Sequence, residues 1–245
     1  MKRNVSLCGW VCLLALFLSG PAKASVVIGA TRVVYPASER DVSIKLTNNG
    51  SSPALVQAWV DAGDPAVLPE NSDAPFVLTP PVSRLDPSKG QTLRLMFTGA
   101  ELPQDKESLF WLNILEVPPV STSGVETELQ LAFRSRIKIF FRPDNLSGAV
   151  IDAPKQLRWQ VKSVADGWVL EGYNPTPYYI TLVKAGVVIS EKVFSSENGE
   201  MLSPGGKATF SLKGLPGKPS VGTQVDFTVI NDFGGGDAHK SKLEQ

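Results

Sequence analysis

The chain has 245 residues, with 24 Lys and Arg balancing 24 Asp and Glu, one His and two Cys. An apolar fraction of 42% against 20% charged residues describes a chain that folds, and the neutral balance lacks the clustered basic surplus that nucleic acid would select. The lone histidine, His239, lies in the polar stretch Ala238–Lys242, which leaves almost no material for a histidine-based triad or a multi-histidine zinc site.

Residues 1–24 form a separate object. Lys2 and Arg3 give a positive start, Trp10 to Leu18 is an unbroken apolar run, and Ala22-Lys23-Ala24 is a small-x-small cleavage pattern. The run is too short to cross a bilayer and fits a secretory signal peptide, so the mature chain is expected to begin at Ser25. Removal takes away Lys2, Arg3 and Lys23, leaving 21 cationic side chains against 24 acidic ones. It also takes Cys8 and Cys12, so no disulfide, thiolate nucleophile or cysteine-held metal is expected. No later run has the length of a membrane span, and no membrane insertion of the mature chain is expected.

Strand signals then recur in chain order. Val26–Ile28 and Val33–Tyr35 come first. Val42–Thr47 alternates apolar and polar residues, stops at the turn sequence Asn48-Asn49-Gly50, and Ala54–Val60 returns. Thr92–Phe97 and Leu109–Val117 follow, with Pro- and Gly-rich breaks at Thr79-Pro80-Pro81 and Asp86–Gly90. Nineteen prolines and 21 glycines interrupt nearly every window that could hold a three-turn helix. Arg142–Gly148 has the composition of a linker. Beyond it, Leu157–Val164 and Trp168–Tyr173 flank an Asp166-Gly167 hairpin signal. Tyr178–Val183 and Val187–Phe194 flank Ala185-Gly186, read as a second turn, and Lys207–Leu212 and Gln224–Ile230 complete the set. Trp59, Trp111, Trp159 and Trp168 are expected to fill the cores, and the polar stretch from Gly234 onward to fray. The pattern predicts an all-β protein of two antiparallel sandwiches: an N-terminal domain over 25–142, a linker over 143–148, a C-terminal domain over 149–236 and a flexible tail over 237–245.

The segment from Leu129 to Arg142 is the most informative. Its odd positions are Leu129, Leu131, Phe133, Ser135, Ile137, Ile139 and Phe141; its even positions are mostly polar, with Arg134, Arg136, Lys138 and Arg142. A continuous strand of this length would extend about 46 Å, more than twice the usual span, so part of it is expected to project beyond its own sandwich. Two readings are open: a core strand whose ends curl away, or an edge strand held for a partner.

The sequence holds no phosphate-cradling glycine motif, nucleophile elbow or HExxH. A carboxylate pair for glycoside hydrolysis, which forms in space rather than in sequence, is one alternative class. A secreted adhesin or structural subunit is another, although this mature chain has neither the cysteines nor the N-terminal donor extension expected of a pilin.

Several segments together resemble the periplasmic pilus-assembly chaperones, the PapD-like family. Leu102–Pro119 (LPQDKESLFWLNILEVPP) carries the long family signature. Thr31–Tyr35, Arg136–Pro143, Asn174–Tyr178 and Asn231–Gly235 support it. The nine residues Val120–Glu128 between Pro119 and the alternating strand resemble the short-loop members, which serve rod-type pili. The resemblance implies two immunoglobulin-like β-sandwich domains set in an L. It implies a periplasmic, non-enzymatic chaperone, without cofactor or metal, that stabilises pilin subunits by donor-strand complementation and delivers them to an outer-membrane usher. By the same resemblance, Arg32 and Lys138 hold the pilin's C-terminal carboxylate, and Leu129, Leu131 and Phe133 are donor-strand residues. Glu107, Arg142 and Asp232 form an inter-domain charge cluster, and a self-capping homodimer is a further partner expectation. Lys138 falls on the opposite face from Phe133 if the strand is regular, so either the cleft takes both faces or a bulge intervenes.

Overall fold

Period-two alternation broken by Pro and Gly yields strands and little else. The structure is a computed structural model that describes residues 25–119 and 130–244. The expected signal peptide, the loop 120–128 and Leu129 lie outside the described residues. The first half carries β1 (Val26–Ile28), β2 (Arg32–Pro36), β3 (Val42–Asn48), β4 (Ala54–Asp61), β5 (Phe76–Thr79), β6 (Val82–Leu85), β7 (Gly90–Phe97), β8 (Ser108–Val117) and β9 (Phe133–Arg142). The second carries β10 (Arg158–Val164), β11 (Gly167–Tyr173), β12 (Ile180–Ile189), β13 (Lys192–Ser196), β14 (Glu200–Leu202), β15 (Lys207–Ser211), β16 (Gln224–Ile230) and β17 (Gly236–Lys242).

Each half is a sandwich. In the first, a sheet ordered β1-β3-β7-β5 faces one ordered β2-β9-β8-β4-β6. Their inner faces bury Val33, Tyr35, Leu46, Leu93, Leu95, Leu112, Ile139 and Phe141, with Phe97 and Phe141 rings 4.5 Å apart. In the second, β10-β11-β15 faces β13-β12-β16-β17, with β14 also on β12, around Trp159, Leu170, Phe210 and Phe227. Among the described residues no strand pairing joins the two halves.

Four expectations change. Ala185-Gly186 is not a turn: β12 runs through it, pairing Gly186 with Ser195, and the chain reverses at Ser190 and Glu191, both at positive φ. The glycine serves close approach instead, since a Cβ there would meet the Phe194 carbonyl at 2.5 Å. The frayed tail is a strand: β17 pairs with β16 from Ile230↔Gly236 to Gln224↔Lys242, and Leu243 is buried beside Trp159. An edge strand can be polar because its outer edge meets water, so composition alone hid it. Trp159 fills the second core and Trp168 packs against it, but Trp59 and Trp111 are absent from the first core and lie on the outer face of its sheet. Finally, regular structure in the alternating segment begins at Phe133, where pairing with β8 begins at Glu116; Leu131 precedes the strand.

Candidate functional site

β9 organises the site. It pairs with β8 without a register shift from Glu116↔Phe133 to Ser108↔Phe141, so the strand is regular and carries no bulge. Phe133 therefore shares a face with Ile137, Ile139 and Phe141, which point into the sandwich, while Arg134, Arg136, Lys138 and Phe140 point outward. Lys138 and Phe133 lie on opposite faces.

β9 is neither a plain core strand nor a plain edge strand. On its other side β2 runs parallel to it, but only over Arg32↔Lys138 to Pro36↔Arg142. Among the described residues nothing pairs with that edge of Phe133–Ile137. Apolar side chains meet water at its start: Phe133 is 59% exposed, and Leu131, just before the strand, is 53% exposed. Such an edge is a template for another strand.

The open edge ends where β2 begins, at two cations side by side. Arg32 Nη1 donates to the Ile230 carbonyl at 3.0 Å, and its Nε is buried without a hydrogen-bond partner. Lys138 sits opposite it across the parallel ladder, its Nζ 5.6 Å from the centre of the Trp111 ring. Neither forms an ion pair among the described residues. Burial, with the Arg32 guanidinium alongside, holds the Lys138 ammonium below the ordinary lysine value. Burial likewise lowers Arg32, against the opposing charge of Asp232. Two half-buried cations, one of which lowers the other, make this end of the open edge positively charged.

A cleft of about 430 Å³ adjoins Arg32, lined by Phe140, Tyr179, Ile151 and Phe233 among others, and it draws walls from both sandwiches. Its geometry is held by a charge cluster. Glu107, 3% exposed just before β8, accepts from Arg142 Nε at 2.6 Å and from the Tyr179 backbone N–H at 2.7 Å. Arg142, at the end of β9, donates Nη1 and Nη2 to the two Asp232 oxygens at 2.7 and 3.1 Å. Burial pushes the Glu107 carboxyl above its usual range despite Arg142. Burial opposes the Arg142 charge too, but the hydrogen bonds and charges of Asp232 and Glu107 outweigh it and hold the guanidinium firmly protonated. The β16–β17 turn that carries Asp232 comes close to the first sandwich at Gly234, where φ is +85° and a Cβ would lie 2.3 Å from Thr31 Oγ1.

The structure thus brings Glu107, Arg142 and Asp232 into one cluster and Arg32 and Lys138 into one pair, and it sets Leu131 and Phe133 in the open. Leu129 is outside the described residues. The sequence reading missed Asp61. Buried in β4, Asp61 accepts from Arg136 at 2.5 Å and from Asn113 Nδ2 at 2.6 Å on the outer face, with Trp111 between it and Lys138. Asp61 stands just past the expected strand Ala54–Val60, and only pairing with β8 places it there.

Comparison with known proteins gives the chain's family. Residues 25–147 match the family described as "Pili and flagellar-assembly chaperone, PapD N-terminal domain", and residues 152–241 match "Pili assembly chaperone PapD, C-terminal domain". The chain is 40% identical to the probable fimbrial chaperone YadV of Escherichia coli K12, over 96% of this chain and 95% of that one. The crystal structure of YadV superposes with a TM-score of 0.77 over 90% of this chain and all of that one. This chain is 44% identical to the chaperone protein FimB/FhaD of Bordetella pertussis, over 89% of its own length and 88% of that one. The SafB chaperone of Salmonella enterica, solved in complex with the SafA pilin, is 32% identical with a TM-score of 0.74, over 91% of this chain and 99% of that one. Proteins of this kind are assembly chaperones and not enzymes, and this chain, matched over both of its sandwiches, belongs to the PapD family of pilus-assembly chaperones.

Proposed function

We propose that the protein captures pilin subunits in the periplasm by adding its β9 edge to their incomplete sheet, and that it passes them to an outer-membrane usher. The observation that carries this reading is the coincidence of a half-strand open along one edge, Phe133–Ile137, led by the exposed Phe133, with two cations at its far end that have no ion-pair partner among the described residues. A subunit strand laid along that edge is collinear with β2. For its C-terminus to meet Arg32, where β2 starts, it must run in the same direction as β2, parallel to β9. Main-chain hydrogen bonds then give affinity without demanding a sequence, and Phe133 and Leu131 fill the subunit's open groove. Arg32 offers a bidentate fork and Lys138 a point charge to the terminal carboxylate. The anchor sets the register, since a slip of one residue would turn every donor side chain to the wrong face.

No nucleotide site is needed, because strand exchange with the next subunit can release the chaperone. SafB, solved with a pilin, supports the partner class. Delivery to an usher needs a second surface that stays free while β9 is occupied. Leu55 and Val82, both about half exposed on β4 and β6 at the far edge of the same sheet, offer one. The leader-like residues 1–24 support a periplasmic location, and in the absence of a subunit a second copy could cap the open edge. The reading is tested by periplasmic co-expression with the pilins of the same locus. Wild-type protein should co-purify with a subunit and protect it from proteolysis, whereas Arg32→Ala and Lys138→Ala should fold and fail. Removing one partner of such a charge pair costs about 2–5 kcal/mol. Undiminished protection by both variants would end the anchor reading.

A further inference from the structure

The outer face of the first sandwich aligns four residues in one row across its sheet: Arg32 on β2, Lys138 on β9, Trp111 on β8 and Asp61 on β4, each opposite the next. The row explains an oddity. Trp111 is only partly buried and belongs to neither core, yet two cations lie against its ring, Arg136 at 4.2 Å and Lys138 at 5.6 Å from the centroid. Arg136 is not free to move. Its Nε and Nη2 donate to the two Asp61 oxygens, and Asp61 is fixed by Asn113 Nδ2 at 2.6 Å and the Gly63 N–H at 2.7 Å. Asp61 thereby neutralises Arg136 and leaves none of its charge for Lys138. Beside the like charge of Arg32, the negative face of the indole is the one favourable electrostatic contact of the Lys138 ammonium among the described residues.

We propose that Trp111 is a positioning residue for carboxylate capture: its indole, clamped by the Asp61–Arg136 pair, holds the Lys138 ammonium against the sheet at the mouth of the β9 edge, so that the cation pair is arranged before a subunit arrives. The inference rests on the anchor reading above. It assigns the tryptophan a role that core packing does not, because a packing residue would be replaceable by any apolar side chain of similar volume, whereas a cation platform requires an aromatic ring with an electron-rich face.

The test uses a synthetic peptide of alternating valine and threonine, made with a free C-terminal carboxylate and as the amide, and measures the affinity of the mature protein for each. Wild type should prefer the acid. Tetrafluorotryptophan at position 111, which keeps the shape and drains the ring's negative face, should cut that preference about three- to tenfold. Trp111→Leu should do the same, and Trp111→Phe should restore most of it. Should Trp111→Leu not fold, the fluorinated protein carries the test alone. If the fluorinated protein keeps the wild-type preference while Lys138→Ala loses it, Trp111 is no platform, although the anchor stands. If wild type itself binds acid and amide equally, the anchor reading falls and this inference with it.

Discussion

Asp61 and Glu107 are both buried carboxylates that accept hydrogen bonds from an arginine of β9, and they are shifted in opposite directions from their ordinary values. Burial alone would push the Asp61 carboxyl up, but hydrogen bonds from Arg136, Asn113 and the Gly63 N–H, with the guanidinium charge, bring it below the ordinary aspartate value. Its contribution to stability is therefore present above the unfolded-state value of about 3.9 and is lost as pH falls through the depressed native value. For Glu107, desolvation wins over Arg142, so its native value is raised. That carboxyl favours the folded state below its unfolded value, and the benefit is lost as pH rises through the raised one. Asp61→Asn should accordingly be less stable than wild type at pH 7, yet lose less further stability between about pH 4 and pH 2. Urea midpoints across that range check it, and parallel curves for the two proteins would mean that Asp61 has no depressed native value.

At the scale of elements, β9 is legible in the sequence as few strands are, because its two faces do different work. The odd positions Ile137, Ile139 and Phe141 fill the sandwich, and the even positions Arg136, Lys138 and Arg142 each meet a specific polar or aromatic partner. What the alternation could not tell is where pairing stops. β2 covers only Lys138–Arg142, and that limit is a property of the topology and not of β9 itself. The same reason hid β17, whose polar residues Asp237–Lys242 are held by main-chain pairing to β16. Ala185-Gly186 misled for the converse reason, a glycine demanded by a neighbouring backbone and not by a turn. Trp59 and Trp111 misled because size and apolarity suggest a core, whereas cations on the outer sheet face take both rings, Arg134 lying 5.8 Å from that of Trp59. The open half of β9 makes its own prediction. Phe133→Glu and Leu131→Glu should leave the melting temperature close to wild type, since both side chains already face water, yet abolish subunit capture, because a carboxylate cannot enter an apolar groove unpaired. A variant that unfolds would place its residue in the chaperone's own core.

For the molecule as a whole, the question is what sets one sandwich against the other. No strand pairing crosses between them among the described residues, so the join there depends on side-chain ties and one main-chain bond. Glu107 is the hub: its N–H donates to the Pro177 carbonyl at 2.9 Å, one oxygen accepts from the Tyr179 N–H, and the other accepts from Arg142. Arg142 then reaches Asp232 bidentately, and its guanidinium lies 5.4 Å from the Tyr178 ring centre. These residues line the same cleft as Arg32, so the cluster that joins the sandwiches also borders that cation. Arg142→Ala would leave Glu107 with its remaining backbone donor but no cation, and unpairing a buried charge costs about 3–5 kcal/mol. Arg134→Ala removes an exposed side chain whose contacts are the Pro65 carbonyl and the Trp59 face, where losses stay near the scale of other surface substitutions. Arg142→Ala should therefore melt well below both wild type and Arg134→Ala, and small-angle scattering below its transition should show a broader spread of inter-domain distances. Equal melting temperatures and equal scattering for the two variants would mean that packing around Phe140 and Tyr179, whose rings lie 5.8 Å apart, holds the sandwiches together without the charges.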